Sequence, residues 1–305
     1  MRSRLAPLFL LCAAPFLGLL AGCGGGNEAA IEPLRIAFVP QTDMEERYAG
    51  AYRALKAYLE PRLGMPVEII SLENANAAIE GLRAGKIDVC NFSPWPFLIA
   101  EKKIGLEALL LTKAPNGEPN SYRGVLVTNP QTGLKTPEDL KRRRGELVFA
   151  FEEPVSTSGH FIPRNFLHSM GISADDDFKR VIYGTDGITN LLTVRAGRVD
   201  VAALSDTSLQ RALDRGRIAK EEIVVLWISP PVLSTVIAVR GKLPAALKAQ
   251  LARLYLELPE SSPDHWIEVA KQFSVPIAGY LPAAPDSLDY FRRAIREVPG
   301  LQLAN

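Results

Sequence analysis

Cysteine, histidine and net charge are all scarce in this sequence. Among 305 residues there are three cysteines and three histidines, and the formal charge is +1. Cys12 lies within an apolar N-terminal stretch and Cys23 directly follows it. Only Cys90 is left to the body of the chain, which excludes an internal disulfide. His160, His168 and His265 lack the spacing of metal ligands and read as surface or packing residues. The near balance of 35 basic and 34 acidic residues excludes a strong pull toward nucleic acid or anionic lipid. The run Lys141-Arg142-Arg143-Arg144 reads as a solvated helix end. There is no Gly-x-Ser-x-Gly elbow, no P-loop and no zinc signature. Ser156 and Ser158 lack an evident base, because His160 is only two to four residues on at a helix start, a poor geometry for a triad. The expectation is a non-enzyme without cofactor or metal.

The N-terminus carries export chemistry. Arg2 and Arg4 give a positive start and Leu5 to Leu20 an apolar core too short for a membrane span. Leu20-Ala21-Gly22-Cys23 resembles the bacterial lipobox. That resemblance implies cleavage after residue 22 and lipidation of Cys23, which would hold the protein at an extracytoplasmic membrane face without spanning it. Residues 23–33, rich in glycine at their start, read as a tether. The remainder, 47% hydrophobic and 23% charged over the whole chain, is long enough for one large domain or two modest lobes.

Strand and helix patterns alternate from Leu34 to about residue 240. Leu34 to Val39 reads as a strand, and Glu45 to Leu63 as a helix stopped by Gly64 and Pro66. Val67 to Ser71 is the next strand, Ala75 to Ala84 a helix, and Ile87 to Phe92 a strand. Such alternation predicts parallel sheets with helices on both faces. One unit occurs twice. Ala78 to Val89 reads AIEGLRAGKIDV and Asn190 to Val201 reads NLLTVRAGRVDV. Each predicts a helix, a glycine cap and a buried strand with Asp at its entry. The repetition points to two similar lobes. Tyr122 to Thr128 and Leu233 to Val239 are the candidate hinge crossings, and the helical segment after Pro244 is expected to return to the first lobe. The expected division is 34–121 plus 234–305 for lobe 1 and 122–233 for lobe 2.

The densest chemical signal lies in Leu147 to Pro163, LVFAFEEPVSTSGHFIP. It predicts a strand, a hydroxyl-rich loop and a helix start. Ser156, Thr157 and Ser158 could donate to an oxyanion together with the open N–H groups and dipole of the helix. A single serine acting as an N-cap explains the same residues. Asp186 and Asp206 have the same two readings, helix cap or ligand group. Trp95-Pro96-Phe97 reads either as a cleft wall or as packing at a helix start.

These segments resemble the phosphate, phosphite and phosphonate-binding proteins of ABC importers. The resemblance rests on Ser156-Thr157-Ser158-Gly159 with Pro163, on Tyr183-Gly184-Thr185-Asp186 running into RAGRVDVAALSD, on KIDVCNFSPWPFLIA, and on LKTPEDLKRRRGELVFAF. It implies an α/β type II periplasmic-binding-protein fold, two Rossmann-like lobes joined by two hinge strands, closing over a small-molecule ligand. It implies a monomer that hands its ligand to an ABC permease and ATPase. Carried over position by position, the ligand set is Ser156, Thr157, Ser158, Asp186, Asp206, Phe97, Asn76, Ser93 and Gln41. The chain departs from the family pattern where tyrosines are usual, at Phe97 and near Ala75-Asn76, and where a histidine is usual, at Gly184-Thr185-Asp186. The expected solute is a small oxyanion-containing molecule. Two alternatives stay open: an apolar or amphiphilic ligand such as a sterol or lipid, suggested by Trp95 and Phe97, and a sensor for a membrane kinase that captures arsenite at Cys90.

Overall fold

The computed structural model describes residues 32–40 and 44–298. The expected signal peptide, Cys23 and Gln41 lie outside the described residues. In chain order the elements are β1 (Leu34–Phe38), α1 (Glu45–Leu63), β2 (Val67–Ser71), α2 (Ala75–Arg83), β3 (Val89–Phe92), α3 (Pro94–Ile104), β4 (Leu106–Lys113), β5 (Ser121–Tyr122), β6 (Gly124–Thr128), α4 (Pro137–Arg142), β7 (Val148–Glu152) and α5 (Ile162–Ser169). There follow β8 (Arg180–Gly184), α6 (Gly187–Arg195), β9 (Val201–Ser205), α7 (Asp206–Asp214), β10 (Val224–Ile228), β11 (Val232–Leu233), β12 (Val236–Arg240), α8 (Ala245–Ser261), α9 (Pro263–Ala270), β13 (Gly279–Pro282) and α10 (Asp289–Glu297).

Two sheets form the two lobes. The first has the order β13-β4-β12-β3-β1-β2 and the second β10-β6-β9-β7-β8. From β4 to β2 in the first and from β10 to β8 in the second, the two orders correspond strand for strand. Both sheets are mixed rather than parallel. The sets β3-β1-β2 and β9-β7-β8 are parallel, but β12 runs antiparallel to β3 and β6 antiparallel to β9. The reason is the hinge. The parallel strands point their carboxyl ends at the other lobe, so a strand arriving from that lobe must run the opposite way. β5 and β11 are the crossing segments, and they pair with each other.

Alternation of side chains fills both faces of each sheet. In β1, Leu34, Ile36 and Phe38 join one core layer and Ala37 the other. In β9, Val201 and Ala203 face one layer, Ala202 and Leu204 the other. Lys141-Arg142-Arg143-Arg144 ends α4, and its arginines pair with Asp139, Glu146 and Asp177.

The repeated unit explains why the lobes look alike. Gly85 and Gly197 end α2 and α6 at φ +69° and +65°, the left-handed region that glycine enters without a side-chain clash. Asp88 and Asp200 then each pin a neighbouring strand. Asp88 Oδ2 accepts the Arg35 N–H at 3.0 Å, and Asp200 Oδ2 accepts the Val148 N–H at 2.7 Å. Asp88 is buried and also accepts from the Arg240 guanidinium at 2.6 Å. Asp88→Ala is expected to cost about 2 kcal/mol, because it strands a buried N–H while both arginines keep some water. Urea denaturation would check this; a loss below about 0.5 kcal/mol would count against the pinning role.

Candidate functional site

Parallel strands that end toward the opposite lobe also start their following helices there. The N-cap positions of α2, α3, α6 and α7 are Asn74, Ser93, Asp186 and Ser205, and Ser156 caps the helical segment leading into α5. All five line one cleft of about 670 Å³, a volume usual for small-molecule sites. Helix N-termini present unpaired N–H groups and a partial positive charge of roughly +0.5 each. Arg211 and Arg217 also line the cleft, against Glu73, Glu152, Glu153 and Asp186. The favourable potential for an anion therefore comes from main chain more than from side-chain charge.

The hydroxyl loop is a π-helical turn, Thr157–Phe161, continuous with α5. Such turns widen the helix and often mark functional positions. Each hydroxyl has defined neighbours. Ser156 Oγ accepts the Gly159 N–H at 3.1 Å and donates to Glu152 Oε2 at 2.6 Å. Thr157 Oγ1 accepts the Trp95 N–H at 3.0 Å and donates to Ser93 Oγ at 2.9 Å, joining the second lobe to the first. Ser158 is buried and interacts with the Tyr122 phenol on β5. Burial raises the Tyr122 phenol well above its ordinary range, so it stays protonated and is a donor.

Of the residues expected from the sequence, Ser93, Ser156, Thr157, Ser158 and Asp186 line this cleft. Asp186 is also a cap: its Oδ1 accepts from the Ile188 and Thr189 N–H groups at 2.9 Å each. Three others do not line it. Phe97 is fully buried, in the same apolar core cluster as Leu98 and Phe291. Asn76 sits exposed one residue into α2, and Asn74 holds the capping place, its Oδ1 accepting the Ala77 N–H at 2.9 Å. Asp206 is the first residue of α7 rather than its cap. Its N–H bonds the Arg123 carbonyl, and the cap is Ser205. The apolar-ligand reading loses its motive here, since Trp95 and Phe97 pack into the core and the cleft is rich in hydroxyls. Trp95 instead ties the lobes, donating from Nε1 to the Pro154 carbonyl at 2.8 Å.

Cys90 is buried within β3, and burial pushes its thiol up to about 12. A protonated, enclosed thiol is a poor nucleophile and a poor soft-metalloid ligand. Among the described residues no cluster of three or more His, Cys, Asp or Glu is arranged to hold a metal. A maleimide is expected to label Cys90 only after denaturation, read by mass spectrometry; rapid labelling of the native protein would reverse this assignment.

Sequence reasoning missed Glu152, Tyr48, Tyr52, Tyr122, Ser205 and Arg211, all on the cleft. Ser205 was within reach. KIDVCNFS and RVDVAALS continue the repeat and end on Ser93 and Ser205. The tyrosines supply phenols from positions other than those where the family pattern places them. Phe38 stacks on Tyr52 at 4.3 Å, and Tyr52 accepts a bond from Asn91 at 2.9 Å.

Residues 36–288 match the model of a family described as ABC transporter, phosphonate, periplasmic substrate-binding protein. The chain belongs to this family. It is 26% identical over 198 residues to the phosphonates-binding periplasmic protein of Escherichia coli strain K12, covering 65% of this chain and 58% of that protein. It is 23% identical over 250 residues to the phosphate-import protein PhnD of Mycolicibacterium smegmatis, covering 76% of each. The structure of PhnD1 from Prochlorococcus marinus in complex with methylphosphonate superposes with a TM-score of 0.72 at 19% identity, covering 87% of this chain and 97% of that one. At that identity the likeness establishes the fold, two open α/β sheets facing a cleft. The chain thus has the fold that its sequence led one to expect, with mixed sheets in place of parallel ones.

Proposed function

We propose that this protein captures a small solute bearing a phosphonate- or phosphate-like oxyanion and delivers it to an ABC permease and ATPase. Lobe 1 comprises 34–121 with 234–305, lobe 2 comprises 122–233, and the ligand is enclosed between them. The observation that carries this reading is the convergence of five helix starts on one hydroxyl-lined cleft. The main-chain N–H groups of Thr157 and Ser158 open a helix and have no intrahelical acceptor. With the hydroxyls of Ser156, Thr157, Ser158 and Ser93, they form a cradle for an anion. The family match supports the transport role.

The protein acts as a monomer at the extracytoplasmic membrane face, held by lipid on Cys23, and does no chemistry on its ligand. Among the described residues no helix is long and apolar enough to cross a membrane; a lipid on Cys23 would supply the attachment. Thermal unfolding of the purified protein with phosphate, phosphite, methylphosphonate and cholesterol tests the ligand class. At a hundredfold excess over Kd a true ligand adds about 2.7 kcal/mol to the folded state. The expected result is a rise in Tm with one or more of the phosphorus oxyanions and none with cholesterol. A rise with cholesterol alone would reverse the reading.

A further inference from the structure

Glu152 is the unexpected member of the cleft. It ends β7, where the strand meets the hydroxyl loop. Its carboxyl is wedged between two helix starts. A Cβ on Gly159 would stand 2.3 Å from Glu152 Cδ, and a Cβ on Gly187 would stand 2.7 Å from Glu152 Oε1. Only glycines let the carboxyl lie against the main chain of both. Ser156 Oγ donates to it at 2.6 Å. A negative group therefore sits at the cradle to which the helix starts would draw a ligand's oxyanion.

The charged and titratable groups around it come from every neighbouring element. Asp186 at the start of α6 and Glu153 in the loop oppose its ionisation, and Arg211 on α7 favours it. Tyr122 on β5 is near enough to feel its charge. Burial outweighs the Ser156 hydrogen bond and lifts the carboxyl to about 7. Glu152 is thus placed to hold or release a proton near neutral pH.

We infer that Glu152 is a specificity-determining residue that shares one proton with the bound oxyanion, so that the site takes phosphonates and phosphates in preference to sulfonates and sulfate. This rests on the oxyanion reading given above. Two ionised groups in contact would repel, so the complex needs one proton between them. A phosphonate brings it as P–O–H, donating to the Glu152 carboxylate. Alternatively a protonated Glu152 donates to P–O⁻. A sulfonate carries no proton at these pH values, so Glu152 must supply it, and the supply fails as pH rises.

Isothermal titration calorimetry of the purified protein with methylphosphonate and methylsulfonate, at pH 6 and pH 8, tests this with wild type and Glu152→Gln. Wild-type affinity for methylsulfonate is expected to fall about tenfold for each pH unit above about 7, the slope of one linked proton. Glu152→Gln, whose amide donates without titrating, is expected to bind methylsulfonate equally at both pH values. Its preference for methylphosphonate at pH 8 should drop at least tenfold. If wild type takes no methylsulfonate at either pH, gain of binding in Glu152→Gln supports the inference and refusal by both proteins overturns it. Equal pH dependence and equal preference in the two proteins also overturns it. One measurement needs no variant: wild type titrated with methylphosphonate at pH 8 in two buffers of different ionisation heat should show net proton uptake. Zero uptake or release contradicts the inference even when methylphosphonate binds. Absence of binding by either ligand to either protein would instead remove the oxyanion reading itself, and the inference with it.

Discussion

Converting Ser156 and Ser158 together to alanine is expected to weaken binding of methylphosphonate about a thousandfold. Hydrogen bonds to a charged partner are worth about 1.5–3 kcal/mol each, so losing two costs about 4 kcal/mol, and each 1.4 kcal/mol is tenfold in Kd. The two serines differ in what they now hold. Ser156 divides its hydroxyl between the Gly159 N–H and Glu152, whereas Ser158 lies buried beside Tyr122. Ser158→Ala alone is therefore expected to take the larger part of the loss. Ser156→Ala loses its own donor and also removes the hydrogen bond that favours the charged form of Glu152. Calorimetry on the two single variants and the double variant measures the apportionment. A double variant within tenfold of wild type would show that the hydroxyl loop is a cap and not a cradle.

The second large effect is on stability against pH. Burial, reinforced by the neighbouring Arg164, holds His160 down to about 4 from an ordinary 6.5. As pH falls below 6.5 the unfolded chain takes up a proton that the folded chain refuses, so stability is lost between 6.5 and 4. A gap of that size corresponds to roughly 3 kcal/mol. Glu152 acts in the opposite direction. Its folded value of about 7 lies above the ordinary 4.5. As pH rises from 4.5 to 7 the unfolded chain releases a proton that the folded chain keeps, and stability is lost. Part of the Glu152 side chain faces the cleft, so solvent trims its share to about 2 kcal/mol. In wild type the two slopes largely cancel between pH 4.5 and 6.5. Glu152→Gln should therefore gain about 2 kcal/mol relative to wild type as pH rises across that window. Urea denaturation at pH 4.5, 5.5 and 6.5 measures the difference. Parallel curves for the two proteins would contradict it.

The scaffold was legible because its determinants are local. The helix Glu45–Leu63, its glycine stop and the strand Val67–Ser71 appear where periodicity and caps place them. The doubled Arg-Ala-Gly-basic-branched-Asp-Val unit announced two related lobes, and Asp88 and Asp200 perform the same strand-pinning task in each. The hydroxyl loop was legible for the same reason, as three adjacent residues before a helix pattern. Strand direction was not, because it depends on which lobe the chain has just left. Phe97 was misplaced because in an all-apolar stretch, PWPFLIA, periodicity does not say which side faces the core. Glu152 escaped notice because its neighbours come from four segments: the loop at Ser156, the turn at Gly159, the start of α6 and Arg211 on α7.

The duplicated helix–strand unit brings helix N-termini, with their partial positive charge, to one cleft, because each copy ends a strand and starts a helix there. Thr157 and Trp95 cross from lobe to lobe at the edge of that cleft.

The most direct measurement is a crystal structure of the protein grown with saturating methylphosphonate. Phosphonate oxygens are expected within hydrogen-bond distance of the Thr157 and Ser158 main-chain N–H groups and of Ser156 Oγ and Ser158 Oγ, with one oxygen against Glu152. Density elsewhere on the protein, or an empty cleft at saturating ligand, would contradict this.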